Sequence, residues 1–162
     1  PMRTMNVFRT FANHPDLMGA WLGFGAYLLR SSTLEPRLRE LVVLRVGWQC
    51  RSPYEWGQHV LIGRKSGVLD TDLQQLTQGP DADRWSVTEA AALRATDELI
   101  ERHTLGDATW TDLTAYFTTQ QILDLIFLVG QYQLVAGALN ALRVERDDGL
   151  DANALPFPIP AE

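Results

Sequence analysis

The chain has 162 residues, a mass of 18.2 kDa and a formal net charge of −6. A domain of that length buries about 70% of its unfolded surface, so folding needs no disulfide or metal. The acidic balance argues against a nucleic-acid binder, which requires a basic face, although Arg37, Arg39 and Arg45 do cluster. The single cysteine, Cys50, excludes a disulfide framework, a Cys-x-x-Cys redox pair and a multi-thiolate zinc site, and it fits a reducing, cytoplasmic setting.

Apolar residues recur at helical spacing and no stretch alternates, which predicts an all-α, single-domain bundle of six to seven helices. The first helix is expected over 14–29. Its apolar core, 17–29, has 13 residues against the ~20 of a bilayer crossing, so neither a membrane span nor a secretory leader is expected. Helices follow over 36–48 and 53–66, each with a proline, Pro36 or Pro53, near its start. Four more are expected over 71–77, 87–103, 109–116 and 119–143, with Gly67 and Gly79 as stop signals. Ser32 with Glu35, Ser52 with Glu55, Ser86 with Glu89 and Thr118 with Gln121 all fit the capping-box pattern. Residues 1–144 read as the helical domain and 145–162 as an extended tail with three prolines.

Two of these helices are apolar nearly all round. One carries Glu40 and Arg45 beside Leu41, Val42, Val43 and Leu44; the other carries Asp124, Gln131, Tyr132, Gln133 and Asn140. Such helices lie at the centre of a bundle or beneath another subunit, and their polar groups must find partners. The sharpest local feature is Glu55-Trp56-Gly57-Gln58-His59. Glu55 and His59 are four apart, hence on one helix face about 6 Å apart at Cβ. A carboxylate beside an imidazole holds one ring nitrogen protonated and leaves the other for proton transfer. Glu40 sits on the preceding helix, and the short break at residues 51–52 makes the two helices antiparallel neighbours; spacing does not fix whether Glu40 and His59 are level. The plainer reading is that Glu55 only caps its helix and His59 is structural. His14 and His103 fall near helix ends.

The run Arg37-Leu38-Arg39-Glu40-Leu41-Val42-Val43-Leu44-Arg45, then Tyr54-Glu55-Trp56-Gly57-Gln58-His59-Val60, then Gly63 and Gly67, resembles the carboxymuconolactone decarboxylase family. That family is similar in fold to the alkyl hydroperoxidase D-like proteins. The resemblance is clearest over 35–76 and continues loosely along the last helix, through Gln131, Tyr132, Gln133 and Asn140. It implies an all-α protein assembled as a trimer or hexamer, with sites near subunit contacts. In the peroxidase branch a glutamate lies twelve residues before the first cysteine of a Cys-x-x-Cys pair and a histidine four after the second. Glu40 and His59 match the outer members, but Ser52 and Glu55 stand at the cysteine positions and Cys50 is out of register. Peroxidase turnover needs a second thiol to resolve the sulfenic acid, so that activity is not expected. The decarboxylase branch also lacks the cysteine pair and keeps a glutamate and histidine at the spacing of Glu55 and His59.

The resemblance therefore implies a cofactor-free lyase of aromatic catabolism acting on a small acidic or lactone substrate. Loss of carbon dioxide leaves electron density conjugated to a carbonyl, and a carbon must then be protonated. His59, held by Glu55 or Glu40, is the expected proton donor. Arg45, Tyr132 and Gln131 are expected to hold substrate oxygens, with Trp48 and Trp56 as apolar walls. No metal, nucleic-acid or membrane partner is expected. The alternatives are an alkyl hydroperoxidase-like antioxidant protein, disfavoured by the lone cysteine, and a non-catalytic oligomeric binding protein of the same fold.

Overall fold

The computed structural model describes residues 5–150. Eight helices occur there: α1 (Asn6–Phe11), α2 (Pro15–Arg30), α3 (Pro36–Gln49), α4 (Pro53–Lys65), α5 (Asp70–Gln78), α6 (Val87–Arg102), α7 (Asp107–Tyr116) and α8 (Thr119–Ala141), and no strand among the described residues. The seven predicted helices correspond to α2–α8, with ends within two residues. Helix α1 was not predicted. Its six residues carry no side-chain cap, and it is held by tertiary contacts instead. Phe11 packs edge-on against Trp21 of α2 at 4.9 Å, and the Val7 amide donates to the Tyr54 hydroxyl at 3.0 Å.

Two of the four expected capping boxes form. Ser86 and Glu89 exchange backbone–side-chain bonds at the start of α6, as do Thr118 and Gln121 at the start of α8. The other two do not. Glu35 is itself the N-cap of α3; at α4 neither the Ser52 hydroxyl nor the Glu55 carboxyl makes a cap bond. Gly67 and Gly79 take positive φ where α4 and α5 end, a region that favours glycine.

Helix α3 lies at the centre. Val42, Val43 and Val46 join Leu28, Leu125 and Leu128 in one core cluster. Leu41 and Leu44 face the other way, onto Trp56, Val60, Leu73, Leu76 and Leu93 in a second. A helix packed on both sides has no room for a polar stripe, which accounts for its composition. The basic cluster noted in the sequence is neutralised within the fold. Arg37 pairs with Asp72 and Glu89, Arg39 with Glu40, and Arg45 with Asp97.

In α8, Asp124 accepts from the Thr33 amide and hydroxyl and from the Tyr27 hydroxyl, while Asn140 donates to the Cys50 carbonyl. These two polar residues are structural ties. By length and composition α8 is apolar enough to cross a bilayer, contrary to the expectation of no such segment. Its polar residues are too dispersed to break the apolar average, and over half of that stretch is buried inside the bundle.

The start of the expected tail packs back on the domain. Asp147 accepts from the Asn6 amide, the Tyr54 hydroxyl and the Gln58 side-chain amide at 2.8, 2.7 and 2.5 Å. Residues 151–162 of that tail lie outside the described residues.

Candidate acid/base site

Helices α3 and α4 form an antiparallel pair joined by a tight turn at residues 50–52, and this register sets Glu40 against His59. The His59 Nδ1 lies 2.7 Å from Glu40 Oε2, and Glu40 is wholly buried. The other Glu40 oxygen accepts from Arg39 Nε at 3.2 Å. The carboxylate thus fixes the ring through Nδ1 and leaves Nε2 as the nitrogen for proton exchange. Tyr132 of α8 packs edge-on against the imidazole, with ring centroids 4.9 Å apart at 90°. Burial, with the charge of Glu40 adding to it, pushes the Tyr132 hydroxyl well above its usual value, so it is a neutral donor.

His59 and Tyr132 line a cavity of about 220 Å³. An apolar cavity of about 150 Å³ admits benzene, so this one suits a molecule somewhat larger. Its walls are mostly apolar: Trp21, Leu22 and Leu29 from α2, Ile62 from α4, Val135 and Leu139 from α8, and Val7 and Phe8 from α1. Polar groups enter through Glu55, His59, Gln58, Gln131, Tyr54 and Arg30.

Glu55 is the least satisfied of these. It is 2% exposed, and neither carboxyl oxygen has a hydrogen-bond partner. Burial drives its carboxyl well above the usual carboxylate range. Of the two carboxylates expected to hold His59, Glu40 from the neighbouring helix does so and Glu55 does not. The reading of Glu55 as a helix cap is also set aside, since it bonds to no backbone amide.

The remaining predicted residues divide. Gln131 and Tyr132 line the cavity with Glu55 and His59. Arg45, Trp48 and Trp56 do not. Arg45 is turned away, gripping Asp97 through two nitrogens at 2.7 and 2.8 Å and donating to the Leu76 carbonyl. It is five residues past Glu40, about 140° round the helix at ~100° per residue, which faces it toward α5 and α6. Trp48 and Trp56 lie ring to ring at 5.9 Å within the second core cluster.

The sequence reading missed Arg30, an exposed cation on the cavity lining that pairs with no described acid. It also missed the α2 wall. That wall was visible in principle, because Trp21, Leu22, Gly25, Ala26 and Leu29 follow the three-and-four spacing of one helical stripe. Cys50 ends α3, half-buried, and burial pushes its thiol up to about 11, away from the reactive thiolate. His14 caps α2 through Nδ1, accepting from the Leu17 amide, and exposed His103 ends α6.

The carboxymuconolactone decarboxylase family model matches residues 15–98, which hold Glu40, Glu55 and His59. Similar solved structures include the following three. A protein of unknown function from Agrobacterium tumefaciens, named for a supposed antioxidant-defence role of the AhpD kind, has a TM-score of 0.77 at 19% identity, over 85% of this chain and 95% of that one. An uncharacterised peroxidase-related protein from Ralstonia eutropha, described by its alkylhydroperoxidase AhpD core, gives 0.80 at 20%, over 90% and 78%. Another uncharacterised peroxidase-related protein, from Silicibacter, gives 0.82 at 14%, over 93% and 81%. Identities this low speak for the fold alone. A search of the curated proteins yields no significant match.

Proposed function

The chain belongs to the carboxymuconolactone decarboxylase family, and from that premise we propose that it is a cofactor-free acid/base lyase. Its substrate is a small lactone or related carbonyl compound bearing acidic groups, and His59 moves the proton. The observation that carries this reading is the buried Glu40–His59 pair opening on a cavity of substrate size.

The reaction balances simply. The bond to the departing carboxylate breaks, carbon dioxide leaves, and the electron pair passes into the system conjugated to the carbonyl. His59 then delivers a proton to carbon and recovers one from water. Glu40 stabilises the charged imidazolium through Nδ1.

Arg30 replaces Arg45 as the cation of the site. It belongs with an acidic group that stays on the substrate. A cation on the departing carboxylate would stabilise the ground state more than the transition state and slow the reaction. Replacing Arg30 with Gln should raise KM about tenfold and leave kcat nearly unchanged.

The decisive variant is His59→Gln, whose side-chain amide still donates to Glu40 and avoids an unpaired buried charge. Turnover of a carboxymuconolactone-type acid should fall by about 10²–10⁴-fold, the usual share of general acid/base catalysis. An intact circular-dichroism spectrum beside that loss supports the assignment; retained turnover sinks it. The names of the structural relatives suggest peroxide chemistry, but this chain has one cysteine, and its thiol is held protonated. Peroxide consumption with a dithiol reductant should stay at background.

A second part of the reading concerns assembly. Helix α2 exposes Leu17, Phe24 and Tyr27, and α8 exposes Leu123, Phe127 and Leu134, with Phe24 touching Phe127 edge-on. Paired apolar faces of this kind belong at protein interfaces, here with further copies of the same chain. Light scattering should give a mass of three or six chains, and Phe127→Glu should lower it.

A further inference from the structure

The first turn of α4 buries a carboxyl that the acid/base pair does not use. Glu55 lines the cavity, is 2% exposed, and has both oxygens free of hydrogen bonds. Buried polar groups are almost always partnered, and a carboxyl left without one calls for an explanation. Helix capping does not supply it, and Glu40 already holds His59. A ligand in the cavity does.

The surroundings say in which form Glu55 meets that ligand. The groups facing it are His59 on its own helix, Cys50 at the end of α3, and Tyr132 on α8, with Glu40 close to Tyr132. Arg39 is committed to Glu40 and Arg45 to Asp97. Arg30, on the same cavity, is exposed and therefore solvated. His59, when charged, is balanced by Glu40, so among the described residues no unclaimed cation is in place to stabilise a carboxylate at Glu55, and burial raises its proton affinity.

We propose that Glu55 is the neutral hydrogen-bond donor of this cavity, giving its O–H to an uncharged carbonyl oxygen of the substrate and selecting against an anionic group at that point. The inference rests on the acid/base reading and adds a ligand class to it. In decarboxylation the electron pair released from the breaking bond accumulates on that carbonyl oxygen. A neutral O–H strengthens its bond to an oxygen gaining charge, whereas an ionised Glu55 would repel it. Glu55 keeps its proton throughout; the proton delivered to carbon is that of His59.

The test needs no knowledge of the natural substrate. Infrared difference spectra of the full chain at pH 7.5 should contain the carbonyl stretch of a protonated carboxyl, absent from Glu55→Gln. Adding acetophenone, a neutral aromatic ketone, should shift that band to lower frequency. In parallel, acetophenone affinity should fall about three- to tenfold in Glu55→Leu and little in Glu55→Gln, whose amide still donates. A missing band at pH 7.5, a band indifferent to acetophenone, or equal affinity in all three proteins overturns the proposal. The His59→Gln kinetics stand apart. If they collapse while the Glu55 band is missing, the acid/base reading survives and this inference falls. If the band responds and His59→Gln keeps full turnover, the reverse holds.

Discussion

The α3–α4 pair carries buried charge on two sides, and the sides are built on opposite rules. Toward α5 and α6, each of the three Arg45 side-chain nitrogens has a partner, with Asp97 gripped twice and Gln49 adding a third bond to that carboxylate at 3.0 Å. Toward the cavity, Glu40 is matched by Arg39 and His59, but Glu55 is matched by nothing. Desolvated charges cost several kcal/mol unless geometry returns the energy. The closed network meets that condition by itself, whereas the open one meets it only with a ligand in the cavity, as the proposed function requires. Loss of the imidazole in His59→Gln is the sharpest way to test that division. Its effect, about 10²–10⁴-fold on turnover, should leave the melting temperature nearly unmoved.

The opposite disturbance belongs on the closed side. Arg45→Ala leaves Asp97 half-buried without its partner and opens a bond to the Leu76 carbonyl. Breaking a buried pair from one end costs about 3–5 kcal/mol, read from urea unfolding. In the protein that remains folded, KM for an acidic substrate should be unchanged. A large KM rise with unchanged stability would restore Arg45 to the site and undo the contrast.

The sequence made the α3 and α8 cores legible because a helix apolar on all sides has few places to go. It also made the α6 and α8 starts legible, because Ser86 with Glu89 and Thr118 with Gln121 close their bonds within four residues. It brought out His59, Glu55 and Glu40 as a set. What it left open was the partnership. Spacing along one helix puts Glu55 beside His59, but the choice between Glu55 and Glu40 depends on how far α3 slides along α4, which the 51–52 turn fixes only in three dimensions. The same limit explains Arg45: charge type was readable, but the acid it would meet 52 positions later was not. Helix α1 escaped because its order comes from Trp21, Tyr54 and Asp147, all distant in the chain.

The smallest effect is on stability, and its sign is the informative part. Glu55→Leu replaces an unpartnered buried carboxyl by an apolar side chain of similar size, which should raise stability by about 1–3 kcal/mol while acetophenone binding weakens. The pH dependence follows from the same burial. The folded-state proton affinity of Glu55 is raised above that of the unfolded chain, so between the two values the folded state holds the extra proton. Stability then falls as pH rises from about 4.3, the unfolded glutamate value, until the folded carboxyl itself ionises, at no more than about 1.4 kcal/mol per pH unit. Asp72 behaves oppositely: burial works against its charge, but its bonds to Arg37 and Arg84 outweigh burial and lower its value, so its share is lost on acidification below the usual aspartate range. Subtracting the Glu55→Gln curve from the native one cancels Asp72 and isolates Glu55. A difference that declines toward alkaline pH marks a carboxyl kept neutral by its site; a flat difference would mean that Glu55 ionises as readily folded as unfolded, and the two sides of the helix pair would then differ only in how many bonds they contain.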